Sequence, residues 1–133
     1  MIKIDNGLIK KVSISSKKSQ RKRLNYNFHS NEAEKIQRFI NVIQPESIIE
    51  PHKHLSSFEV FIALCGRVKI IEYDNYGKIK ESCIIEPNGK TRAVEIKKNS
   101  WHSLQALDKD SCVYIVMQGP YNHKNHKVSM RKK

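Results

Sequence analysis

"PHKHLSSFEVFIALCG", Pro51 to Gly66, decides both the fold and the chemistry of this chain. Side chains of an extended strand alternate between faces, so His52 and His54 project one way and Lys53 the other. Leu55 to Ser57 leaves room for a turn. Glu59, on the following run "FEVFIALC", then returns to the side of the two histidines while Val60, Ile62 and Leu64 face away. That run is apolar on both faces. One face can fill a barrel, and the other must pack on a second sheet, on the N-terminal segment or on a second copy of the chain. An ionised glutamate among Phe58, Val60 and Phe61 is costly unless it is paired or bound to a metal.

Similar runs recur on both sides of this stretch. "IQRFINVI" (Ile36 to Ile43) is rich in β-branched and aromatic residues, and "QPES" supplies the turn after it. "RVKIIEYD" follows Gly66, "NYG" turns the chain, and "KIKESCIIE" runs into "PNGK", where Asn88-Gly89 can take positive φ. "TRAVEIK", "HSLQAL" and "CVYIVMQG" complete a set of short strands at a spacing of about ten residues, which predicts an all-β sandwich or barrel. Only "SNEAEK" suggests a helical turn, with Asn31 and Glu34 at capping-box spacing. The expected plan is a basic N-terminal arm over residues 1–22, short and irregular or helical, a barrel over 23–121, and a basic C-terminal tail over 122–133.

A fourth group of ligand type, His102, opens the strand in "EIKKNSWHSLQAL". It follows a turn in which Asn99 can adopt the left-handed conformation usually given to glycine. Three imidazoles and one carboxylate make a borderline donor set suited to one divalent ion of Fe, Mn, Co, Ni, Cu or Zn. Four protein ligands on an octahedral ion leave two positions for water or substrate, as catalysis requires.

These residues carry a resemblance to the cupin superfamily. His52, His54, Glu59 and Gly66 match its first motif in every spacing from the first histidine onward. His102 matches the end of the second motif, P-x-G-x-x-H, although Lys97 stands at the proline, Asn99 at the glycine, and Ala106 where an asparagine is usual. The resemblance implies a jelly-roll β-barrel with His52, His54, Glu59 and His102 as metal ligands. Residues 23–121 are also similar to the WbuC-type cupin metalloproteins, through "RLNYNFH", "QRFINVIQPES", "PHKH", "VEIKKNSWHSLQAL" and "QGPY". That group is encoded among O-antigen and other surface-polysaccharide genes, which implies a place in lipopolysaccharide biosynthesis. Beyond Tyr121 the chain departs from the group's aromatic-containing end.

The same resemblance makes Asn27, His29, Gln37 and Asn41 candidates to line a substrate pocket. Gln37, Phe39 and Asn41 share one face of their strand, which suits a polar barrel interior. The alternative for His29 and the asparagines is that they stabilise turns. Trp101 either caps the pocket or packs beside the second motif as apolar area. Lys53 and Arg38 are candidates for a substrate phosphate, with the opposite-face position arguing against Lys53.

Composition and charge narrow the classes. A chain of 133 residues, 38% hydrophobic and 29% charged, is large enough for one core and too short for two. It has no apolar run long enough to span a membrane and no secretory signal at its start. Cys65, Cys83 and Cys112 are an odd count without short spacing, so buried thiols in a reducing cytoplasm are expected. The net charge of +12 sits wholly on the ends. Residues 1–23 hold eight Lys/Arg against Asp5, residues 124–133 hold five and no acid, and residues 24–123 balance to zero. No aromatic residue interleaves "KKSQRKR", as base stacking would need, so solvated arms rather than a nucleic-acid contact are expected.

Three functions fit this reading. The first is a metal-dependent enzyme on a sugar or nucleotide sugar, an isomerase or epimerase in which the ion acts as a Lewis acid. The second is an Fe(II)-dependent dioxygenase, and the third a binding module for a metal or sugar without turnover. A homodimer is expected from the apolar outer faces.

Overall fold

A computed structural model describes residues 1–122 and 127–130. Its elements run α1 (Asn6–Lys18), β1 (Arg23–Asn27), β2 (Ile36–Ile43), β3 (His52–Lys53), β4 (Glu59–Cys65), β5 (Val68–Tyr73), β6 (Ile79–Ile85), β7 (Ala93–Ile96), β8 (Trp101–Ala106), β9 (Ser111–Gln118) and β10 (Val128–Ser129). Two five-stranded antiparallel sheets face each other, one ordered β1-β2-β9-β4-β7 and the other β10-β3-β8-β5-β6. This is an all-β barrel, as the strand spacing predicted, and its two facing sheets are the jelly roll that the cupin resemblance implied.

The alternation along β4 sets the interior. Glu59, Phe61 and Ala63 are buried while Val60 and Ile62 are less so, and across the ladder they meet Met117, Ile115 and Val113 of β9. Ile43, Val68, Ile70, Ile85, Leu104 and Ala106 join Phe61, Ala63, Val113 and Ile115 in one core between the sheets. The charged end of this inward row, Glu59, therefore lies where the apolar core stops. At the other end β4 bulges between Ala63 and Cys65 against β9. Gly66 follows at φ +69°, and a Cβ there would lie 2.5 Å from Ser111 Oγ, so glycine is required twice over.

The outer face of the first sheet is covered by the N-terminal segment, one of the three covers considered above. Ile40, Val42 and Cys112 pack under Val12 of α1, with Leu8, Ile9 and Leu64 alongside. Asp5 caps α1 by accepting the Leu8 N–H at 3.0 Å, and Lys17 and Lys18 sit at its negative end. A second row of contacts fixes the helix to the barrel. Ser13 Oγ donates to Asp110, Gln44 Nε2 donates to Ser16 Oγ at 3.0 Å and to Asp110 Oδ1 at 2.8 Å, and Asp110 N–H donates to Gln44 Oε1 at 3.0 Å.

Two expectations are corrected here. Residues 1–22 are not a solvated arm, because α1 buries its apolar stripe on β2. "SNEAEK" does not form a helix: Ala33 N–H donates to Asn31 Oδ1 at 2.9 Å and Ser30 N–H donates to the Glu34 carboxylate, so the capping contacts close a turn. No helix grows from it because β2 pairing begins at Ile36. In the C-terminal tail, residues 123–126 and 131–133 lie outside the described residues, while β10 pairs with β3 through Val128–Lys53 and Ser129–His52.

Candidate metal centre

The four residues of ligand type converge. His52 in β3 and His102 in β8 are direct partners across the ladder, with ring centroids 4.5 Å apart. Glu59 enters from the facing sheet at the start of β4. His54 lies just past β3, and its carbonyl accepts the Asn99 N–H at 2.7 Å. Asn99 has φ 62°, so the residue at the motif's glycine position does adopt the left-handed turn, and that turn ties the two motifs together. All four side chains are buried, and their ligand atoms lie within 4.8 Å of one another.

Backbone carbonyls orient two of the rings. His52 Nδ1 lies 2.8 Å from Glu50 O and His102 Nδ1 lies 2.8 Å from Ser100 O. A carbonyl can only accept, so Nδ1 carries a proton in both rings and Nε2 faces the centre, offering its lone pair to an ion or, when His102 is protonated there too, an N–H to Glu59. Glu59 Oε1 is 2.7 Å from His54 Nε2 and 2.9 Å from His102 Nε2. His102 has already committed one proton to Ser100, so its second nitrogen can approach a carboxylate oxygen only through another proton or a shared cation. Burial would push the Glu59 carboxyl up, but hydrogen bonds from His102 and His54 outweigh it and hold the group well below the usual carboxylate range. Burial, and then the His102 charge, lower the His52 pKa to about 3, which keeps its imidazole neutral. Three imidazole nitrogens around one ionised, buried carboxylate fit a divalent transition metal.

A cavity of about 380 Å³ reaches this centre. Phe39, Phe61, Leu104, Ile115 and Met117 give it apolar walls, and Asn25 and Asn41 add polar groups. Asn41 Oδ1 is buried and has no hydrogen-bond partner among the described residues. Asn27, His29 and Gln37 instead line an adjoining cavity of about 220 Å³ that shares Asn25, Phe39 and Met117 with the first. Gln37 Nε2 donates to Glu34 O at 2.8 Å, and His29 Nδ1 accepts the Arg38 N–H at 3.0 Å, so both also hold the turn before β2. Trp101 is outside both cavities, in a surface hollow beside Tyr73 and Asp74, with Lys53 Nζ 4.6 Å from its ring centroid. It packs beside the second motif rather than capping the metal cavity. Arg38 pairs with Glu34 at 3.5 Å, away from the metal cavity.

Arg21, Arg23 and Lys127, which no local sequence pattern singles out, line the same cavity as His52, His54 and Glu59. The available signal was the location of the charge. The excess sits at the two ends of the chain, and those ends supply β1 and β10 at the edges of the two sheets.

Among solved structures, KdgF from Halomonas sp. is similar at a TM-score of 0.60 and 14% identity, over 77% of this chain and 83% of that one. The cupin domain of Schizosaccharomyces pombe Cnp3 gives 0.57 and 11%, over 74% and 66%. Bacillus subtilis oxalate decarboxylase, described for its Mn(II) centres, gives 0.56 and 12%, over 73% of this chain and 24% of that one, so the chain spans about a quarter of its length. At these identities the likeness establishes the cupin fold alone. No curated protein matches the chain. Residues 4–85 match the family described as a domain of unknown function (DUF6016). That match runs from the start of α1 through β6 and includes His52, His54 and Glu59, and on it this cupin-fold chain belongs to the DUF6016 family.

Proposed function

We propose that this protein is a metal-dependent cupin enzyme acting on a small molecule, with His52, His54, Glu59 and His102 holding one divalent ion. The observation that carries the proposal is the meeting of three buried imidazoles and a buried carboxylate at the end of a cavity large enough for a small metabolite. A bound divalent ion supplies Lewis-acid polarisation of a substrate oxygen, the chemistry of a sugar isomerase or epimerase. The chain's own groups do the rest. Phe39, Phe61, Leu104 and Met117 exclude water from the inner cavity, Asn25 and Asn41 offer hydrogen bonds to substrate hydroxyls, and the carbonyls of Glu50 and Ser100 hold the His52 and His102 rings in place.

The likeness of residues 23–121 to WbuC-type cupins supports a sugar substrate in O-antigen or other surface-polysaccharide synthesis. Cys65 and Cys112 face each other across the β4–β9 ladder as free thiols, which supports a cytoplasmic setting. No helix among the described residues is long and apolar enough to cross a membrane. The homodimer belongs to the same proposal, supported by exposed Leu24 and Tyr26 on the edge strand β1.

Elemental analysis of natively purified protein tests the reading. One equivalent of a divalent transition metal is expected in the wild type and none in a folded His54→Ala variant. Full metal retention in that variant refutes the ligand assignment. Oxygen uptake by the Fe(II)-loaded protein with a candidate substrate would move the assignment to a dioxygenase.

A further inference from the structure

We infer that the metal cavity selects a small hydroxylated molecule bearing an anionic group, a carboxylate or a phosphate, which Arg21, Arg23 and Lys127 bind at the rim. The inference rests on the preceding reading only in placing the ligand's other end at the four-ligand centre.

The three cations come from distant parts of the chain, yet they line one cavity. Among the described residues none of them makes an ion pair. Basic residues elsewhere do: Lys17 with Asp110, Arg38 with Glu34 and Arg67 with Asp108. The Glu59 charge acts on Lys127 but makes no ion pair with it, and a cluster of like charges without an ion-pair partner is unfavourable until an anion fills it. The strain shows in the groups themselves. Burial and then the Arg21 charge lower the Arg23 pKa. Lys127 is exposed over the residue as a whole, but burial at the cavity and then Arg23 and Arg21 lower it as well.

The cluster is also built. Arg23 Nη1 donates to Ser47 Oγ at 3.0 Å and to Ile48 O at 3.2 Å, while Ser47 Oγ donates to Arg21 O at 2.7 Å. One edge of the Arg23 guanidinium is thus fixed. Nη2 and Nε have no hydrogen-bond partner among the described residues, which leaves a fork suited to a carboxylate or phosphate. The docking of α1 sets where Arg21 stands, since the chain leaves the helix at Lys18 and Gln44 N–H then holds Lys22 O at 2.9 Å. Deeper in the cavity, the unpartnered Asn41 Oδ1 asks for a donor, which a ligand hydroxyl supplies. A volume of about 380 Å³ admits a sugar-sized molecule and not a nucleic-acid strand.

Isothermal titration of the metal-loaded full chain with glucose, glucuronate and glucose 6-phosphate tests this, since the three share a ring and differ in charge. At least one anion should bind about tenfold or more tightly than glucose, as one to two charge-assisted hydrogen bonds supply. That preference should shrink as salt rises. Whichever anion gains separates a carboxylate ligand from a phosphate one. The double variant Arg21→Gln/Lys127→Gln, whose side chains make no hydrogen bond or ion pair among the described residues, should keep its fold and metal content and lose the preference. The variant Arg23→Lys, which keeps the charge but not the fork, should lose part of it. The inference is overturned if neither anion outcompetes glucose in the wild type, or if the preference survives intact in the double variant, because metal coordination would then explain it. Anion preference lost in the double variant of a protein that holds no metal would leave this inference standing and defeat the metal assignment alone.

Discussion

Removing the metal should cost this protein a measurable part of its stability, and the size follows from the site. Glu59 is 6% exposed, and its Oε1 is shared by two imidazole nitrogens at 2.7 and 2.9 Å. Nothing in the unfolded chain gathers these ligands, so the ion binds the native state and stabilises it by mass action. At a free metal concentration of about 100 times the Kd, that stabilisation is about 2.7 kcal/mol. With an unfolding entropy of about 2.1 cal/mol/K per residue over 133 residues, it corresponds to a rise in Tm of about 10 °C. Differential scanning fluorimetry on chelator-treated protein, before and after adding Mn(II), Fe(II), Ni(II), Co(II) or Zn(II), reads it directly. His102→Ala should abolish the rise, since it deletes a ligand that is 1% exposed. Glu59→Gln should reduce it strongly, because an amide replaces the anionic donor. A rise of equal size in wild type and in both variants would place the ion elsewhere and refute the reasoning.

Two further outcomes test the scaffold. Gly66→Ala forces a Cβ to 2.5 Å from Ser111 Oγ at a backbone angle of +69°, and urea denaturation should show a loss of about 2–5 kcal/mol. The anchor of α1 should depend on acid pH. Burial would raise the Asp110 pKa, but hydrogen bonds from Ser13 and Gln44 and then Lys17 lower it below its ordinary 3.8. A depressed carboxylate stabilises fully above its unfolded pKa and loses that contribution as pH falls through the folded one. Proteolytic cleavage within residues 1–22 should therefore be unchanged between pH 7 and pH 5, accelerate only below about pH 4, and be fast at every pH in Asp110→Ala. Acceleration already at pH 5 in the wild type would show that another group holds the helix.

The barrel was legible because short runs rich in β-branched and aromatic residues alternate with turn signals at a spacing of about ten residues. "IQRFINVI" became β2 residue for residue, and the inward set of β4, Glu59, Phe61 and Ala63, follows from alternation alone. The four ligands were legible because each sits on or beside a strand whose facing is fixed by that alternation. Helix α1 was not. "NGLIKKVSISSKK" holds a glycine, three serines, and β-branched valine and isoleucines, all poor helix formers, and its stability comes from packing on Ile40 and Val42 and from the Asp110 anchor. β3 and β10 are two residues each and exist only through pairing with segments distant in the sequence, which no local pattern announces. The rim cations were hidden for the same reason, since a charge run reads as solvated until tertiary contacts place it.

The division of labour in the cavity follows from that geometry. Residues 24–123 carry no net charge, and they supply the four residues of ligand type and the apolar walls, so the neutral middle of the chain makes a partly apolar chamber with these four residues at its end. The ends supply the charge, Arg21 and Arg23 through α1 and β1, Lys127 beside β10. β10 pairs with the strand that bears His52, and β1 is the edge of the sheet that bears Glu59. The two basic ends are thereby brought to the opening from both sheets, although they are about a hundred residues apart in sequence. A charge placed at the mouth of a low-dielectric chamber attracts an anion without competing for the ligands inside. Metal affinity and ligand charge selection thus reside in different side chains on different strands, and substitutions can separate them.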